Sequence, residues 1–189
     1  MKVHLKLVSV TLLVSITGLA GCLNQSPSHS NNQPRAGVIT ENASIPVLLP
    51  DVAEVRLNKG QSKSGRLSAF DNKKIVITPG GGSPVSIPID QIKDKTVAFK
   101  GQVRYRSNGK LVIRGQDNTK SVPDTWQGIP LSDFQLQDVD TAQVKITSLD
   151  KTKQKGIQQV ATNSHFKVDE MQLEPASGKM TIKVTTLDQ

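Results

Sequence analysis

From Val52 onward, apolar residues either alternate with polar ones or come in short β-branched runs. Gly, Pro, Asn or Asp interrupts them every few positions, and no window keeps a helical period for three turns. A period of two can bury one face only in a sheet, so the pattern predicts an all-β protein. Strands are expected over 52–57, closed by Asn58-Lys59-Gly60, then over 64–70, 74–78, 84–87 and 96–99. Asn108-Gly109 between 103–106 and 111–114 is the strongest short signal for a primed two-residue turn and predicts a hairpin. Residues 116–123 and the stretch around Trp126 to Phe134 read as loops, followed by a strand over 142–147 and a solvated basic turn over 151–155. A second hairpin is expected from 166–174 and 180–186. Its apolar phase shifts by one between Val168 and Met171, which predicts a β-bulge near Asp169-Glu170.

Charge divides this β region unevenly. Residues 51–114 hold thirteen basic against five acidic side chains, whereas 115–189 hold eight against ten. That asymmetry suggests two modules with different surfaces, a first barrel over 51–101 and an antiparallel β module over 102–189.

The amino-terminal segment is of another kind. Lys2 and Lys6 precede a mostly apolar stretch, and Leu19-Ala20-Gly21-Cys22 ends it. This layout resembles the signal peptide and lipobox of bacterial lipoprotein precursors. A membrane-spanning helix would need about 20 apolar residues, but this stretch is shorter and carries Ser9, Thr11, Ser15 and Thr17. The resemblance implies cleavage after residue 21 and lipidation of Cys22, with the folded part exported and held at the membrane on the periplasmic or an equivalent side. Two or three acyl chains anchor stably where one does not. Cys22 is the single cysteine, so no disulfide or thiolate metal site is expected downstream. Residues 22–50 are then the lipidated cysteine and a flexible tether, because 24–33 is polar and poor in apolar side chains.

Within the first module, Gly65-Arg66-Leu67-Ser68-Ala69-Phe70-Asp71 followed by Ile75-Val76-Ile77, and later Phe99-Lys100-Gly101, resembles the two halves of the signature of Sm-like small barrels. The resemblance covers about residues 52–105 and implies a small barrel in which Gly65 permits a sharp bend. RNA-binding members carry an asparagine shortly after the first-motif aspartate. Here the segment is shortened and Lys73-Lys74 stands in its place, so the fold carries over and the RNA site does not.

Little in the chain resembles catalytic machinery. His4 leaves with the signal and His29 lies in the tether without a partner, which leaves His165 as the one histidine placed to act as a base. There is no Gly-x-Ser-x-Gly elbow, and Gly80-Gly81-Gly82 is not followed by Gly-Lys-Ser/Thr. Asp133, Asp138 and Asp140 lack the glycine and closing glutamate of an EF-hand loop, so no metal is expected, nor any other cofactor. Two functions stay open. One is a non-enzymatic, membrane-anchored accessory or scaffold protein that docks on an envelope or membrane complex, with Trp126 and Phe134 either core anchors or partner contacts. The other is a polyanion-binding module for anionic lipid or glycan, using Lys73, Lys74, Lys100, Arg104 and Arg106. Nucleic acid is not expected as a partner, because the chain is exported and only Phe70, Phe99 and Tyr105 are available to stack among the cations.

Overall fold

The computed structural model describes residues 43–115, 122–149 and 165–187. The signal segment 1–21, Cys22 with the tether up to residue 42, and the basic turn 151–155 lie outside the described residues. The described residues form thirteen strands: β1 Ser44–Leu48, β2 Val52–Leu57, β3 Ser62–Phe70, β4 Lys74–Thr78, β5 Val85–Pro88, β6 Ile92–Lys100, β7 Val103–Ser107, β8 Lys110–Arg114, β9 Val122–Pro130, β10 Phe134–Asp138, β11 Thr141–Lys145, β12 His165–Glu174 and β13 Lys179–Leu187. No α-helix occurs among the described residues.

Eleven strands form one curled sheet in the order β10-β11-β1-β12-β6-β2-β3-β4-β5, with β13 added to β12 and β9 to β13, while β7 and β8 form a separate two-stranded hairpin. The curl comes from a recurring corner. Ile87-Pro88-Ile89-Asp90-Gln91-Ile92 and Ile129-Pro130-Leu131-Ser132-Asp133-Phe134 each end a strand, make one turn of 3-10 helix and start the next strand. Val144-Lys145-Ile146-Thr147-Ser148-Leu149 makes the same turn after β11. The proline holds φ near −60°, the value the turn needs, and needs no hydrogen bond of its own. The apolar residues on either side of the turn (Ile89 and Ile92, Leu131 and Phe134) are all buried, so each corner is pinned to the core. Through these corners β5, at one end of the sheet, runs on into β6 in its middle, and β9 runs on into the opposite end strand β10. The sheet therefore folds back on itself at both ends into a barrel-like curl.

The last part of the tether expected over 22–50 is folded. Ser44–Leu48 is a strand, antiparallel to β11 and parallel to β12, and Ile45, Val47 and Leu49 are buried. Three apolar residues at alternate positions suffice for a buried strand, and a polar flank on one side had concealed them. Strands on either side of residue 101 also share one sheet, since β6 pairs with both β2 and β12. One buried cluster extends from Ile45 to Val184 across both halves. Charge asymmetry is a surface property and does not require separate cores.

The stretch read as a loop around Trp126 is strand β9, which continues through the corner into β10. Ile182 pairs with Trp126 while Met180 pairs with Ile129, so β9 carries one extra residue, and Gly128 at φ +70° takes up that bulge. The bulge breaks the alternation that would have marked the strand. On β12 the anticipated bulge is present: Val168 faces Val184 and Glu170 faces Lys183, leaving Asp169 unpaired in the ladder. The Asn108-Gly109 hairpin also forms as expected, with both turn residues at positive φ.

Candidate functional site

The half of β3 beyond Gly65 pairs with β4 on one edge, and β2 stops at Gly65 on the other. Strand β10 ends the sheet and pairs only with β11. Between these two unpaired edges lies an open groove of about 810 Å³. Phe70 and Phe134 meet edge to face in it, with ring centroids 5.4 Å apart, and Leu131 and Leu136 extend the apolar lining. Ser68, Asn72, Gln135 and Gln137 supply polar groups along its walls.

Two local devices hold the walls in place. Arg66 Nη1 donates to Asp140 Oδ1 at 3.1 Å and ties β3 to the β10–β11 turn. At the lip, Asp71 Oδ1 accepts the backbone N–H groups of Lys73 and Lys74 at 2.8 and 2.9 Å. Those two hydrogen bonds hold the Asp71 carboxyl below the usual carboxylate range and fix the turn. The arrangement offers an extended peptide a free strand edge, an apolar floor and polar walls.

The cationic residues singled out in the sequence are not gathered at one place. Lys73 and Lys74 follow the groove residues Asp71 and Asn72 in the chain, and the carbonyl of Lys73 accepts the Ile89 N–H at 2.9 Å. Lys100 pairs with Val52, five residues along β2 from the Leu57–Ile92 pair, which is about 17 Å at strand rise. Its Nζ lies 2.5 Å from Glu54 Oε2, and this contact keeps the Glu54 carboxyl below its ordinary value. Arg104 and Arg106 lie on the separate β7–β8 hairpin.

Trp126 is fully buried, its ring edge to face with Phe166 at 5.2 Å and its Nε1–H donated to Asp124 Oδ2 at 3.0 Å. It therefore belongs to the core and not to a partner-facing surface, and the bulge at Gly128 lets Ile129, three residues on, face the same core. Phe134, also largely buried, is both core and groove lining. Sequence reasoning missed Phe70 and Leu136 as groove residues. No short-range signal marks them, because the groove joins strands far apart in the chain.

The acids once weighed as a metal loop have separate commitments: Asp133 to Lys145 at 3.5 Å, Asp140 to Arg66, and Asp138 to the N–H of Val139. His165 lies against the Tyr105 ring at a centroid distance of 4.2 Å. Its Nδ1 and the Tyr105 hydroxyl are buried without a hydrogen-bond partner among the described residues. Burial lowers the His165 pKa. The unfolded chain then binds a proton more readily than the folded one, so stability is full above about pH 6.5 and declines as pH falls through the interval between that value and the depressed folded one. Thermal unfolding of the wild type should show this decline and His165→Phe, which keeps a ring on Tyr105, should flatten it. A wild-type profile as flat as the variant's would contradict the burial argument.

Comparison with protein-family models, with curated proteins and with solved structures finds no match.

Proposed function

We propose that this chain is an exported lipoprotein, anchored through Cys22, that acts without catalysis as an accessory or scaffold protein and docks on a partner protein through the groove between β3 and β10. The observation that carries the docking half is the groove itself, where two unpaired strand edges flank an apolar floor. An extended partner segment laid there would gain main-chain hydrogen bonds from the edges and specificity from the pockets around Phe70, Phe134 and Leu136. The anchoring half rests on Leu19-Ala20-Gly21-Cys22 and the segment before it.

Within that reading, residues 51–101 form an Sm-like small barrel. What supports it is the order β6-β2-β3-β4-β5, a bent β3 and a β5–β6 strand carried through a 3-10 corner. A resemblance of strand pattern transfers fold more safely than activity, so the docking role is argued from the groove alone.

The test is native size. Full-length protein, solubilised from membranes in mild detergent, should migrate in a complex that persists at high salt. Ala69→Arg and Gln135→Arg place charges on exposed groove positions and should release it as a small species without lowering its melting temperature. Migration as a free small species in the wild type, or an unchanged complex in both variants, would refute docking through this groove. Labelled palmitate fed to cells should be incorporated into the wild type and not into Cys22→Ala, and a wild type that takes up no label would refute the anchor.

A further inference from the structure

The β7–β8 hairpin plays no part in the groove. Its residues 103–114 include Arg104, Arg106, Lys110 and Arg114 and no Asp or Glu. Cross-strand register sorts its two faces, because directly opposed residues point the same way. Val103, Tyr105 and Val112 face inward, where they pack with Leu48 and Leu187 into a small second core. Arg104 opposes Ile113 and Arg106 opposes Leu111, so these four share the outer face. Leu111 is 61% and Ile113 51% exposed, although both are large aliphatic residues. Among the described residues neither arginine forms an ion pair. The base of the hairpin is clamped: the Asp51 N–H donates to the Gln102 carbonyl and the Gln102 N–H to Asp51 Oδ1, each at 3.0 Å.

We propose that this outer face is a membrane-contact surface, with Arg104 and Arg106 on anionic lipid headgroups and Leu111 and Ile113 dipping into the interface between them. The chemistry fits a bilayer better than a protein surface. The outer face lines none of the described pockets. It interleaves apolar tips with cations, as an interfacial element must, and the arginine stems can lie along the apolar side chains while their guanidinium groups stay at headgroup level.

Placement agrees. The inner face of the hairpin packs on Leu48 at the end of β1, and β1 begins at Ser44. The 20 residues from 23 to 42 that precede the described fold reach at most about 70 Å when extended. A lipidated Cys22 and the hairpin can therefore meet the same bilayer. This last point rests on the lipoprotein reading; the charge and the exposed aliphatic residues do not.

The test separates the two. The chain from residue 22 onward, made with Cys22→Ser so that it carries no lipid, is sedimented with vesicles of phosphatidylcholine and phosphatidylglycerol in a 7:3 ratio and with pure phosphatidylcholine vesicles. It should pellet with the anionic vesicles and far less with the neutral ones. A basic residue at an anionic surface is worth about fivefold in partition, so Arg104→Gln with Arg106→Gln should weaken binding more than tenfold. Leu111→Ser with Ile113→Ser should also weaken it, and both double variants should keep the melting temperature, because Arg106, Leu111 and Ile113 are exposed and Arg104, half-buried, shares their outer face and not the packed one. Equal binding to both vesicle types, unchanged binding by either double variant, or no binding to the anionic vesicles would overturn the proposal. Capture of a protein through this face in the absence of vesicle binding would overturn it too. A wild type that incorporates no labelled palmitate in cells, with vesicle binding intact, would sink the lipoprotein reading and leave the hairpin surface standing.

Discussion

Replacing Trp126 by alanine is expected to cost about 3–5 kcal/mol of folding stability, the range for emptying a buried aromatic site. The indole is fully buried, in contact with Phe166, and its N–H satisfies a carboxylate oxygen of Asp124. Truncation would leave a cavity between β9 and β12 and would remove the indole donor to Asp124. Against a total stability of about 5–15 kcal/mol, such a loss removes about a fifth or more of the margin. Urea or thermal unfolding followed by far-ultraviolet circular dichroism measures it. The same variant decides between the two roles that the sequence allows for this residue. A partner-contact tryptophan would lose binding and keep its melting temperature, whereas a core tryptophan loses the melting temperature first. An unchanged melting temperature would place Trp126 on the surface after all.

Legibility followed the range over which each feature is determined. The Asn108-Gly109 hairpin and the bulge at Asp169 are encoded within about a dozen residues, and the apolar phase and turn chemistry disclose both. The all-β class follows from the same short-range periodicity. Strand β9 was hidden because an extra residue at Gln127-Gly128 shifts its alternation, and because Pro123 and Pro130 at its ends resemble loop punctuation. Strand β1 was hidden by its position beside a polar stretch.

The groove could not be read at all. Phe70 and Phe134 come together only because a 3-10 corner brings β10 to the far end of the curled sheet, opposite the free half of β3. The corner does have a pattern, in which apolar residues flank a proline and recur three positions apart. That spacing matches one turn of 3-10 helix between two strands, so it could have been found as an internal repeat. The membrane face had a signal as well. Arg104, Arg106, Leu111 and Ile113 fall on one side of any hairpin that turns at Asn108-Gly109, and reading the two strands together instead of counting charge alone would have exposed it.

Gly65→Ala is expected to cost at least about 1–3 kcal/mol, the penalty for overpacking, because relief requires movement of main chain and not of a flexible side chain. A Cβ at Gly65 would lie 2.6 Å from the carbonyl oxygen of Thr78 and 2.7 Å from the nitrogen of Pro79. Thr78 pairs with Arg66, so the shift would be applied where β3 leaves β2 and turns to β4. Arg66 is also the residue that ties the groove wall to Asp140. The variant should therefore both melt earlier and, below its melting point, hold a partner more weakly in the detergent-solubilised complex. Gly80→Ala is the matched control, since a Cβ there meets nothing within 4 Å, and its cost should stay within about 0.5 kcal/mol. Equal stability of the two variants would mean that β3 and β4 do not approach as closely as the bend requires. A destabilised Gly65→Ala protein that still held its complex at wild-type strength would show instead that the bend serves folding alone and that docking does not depend on the position of the β3 wall.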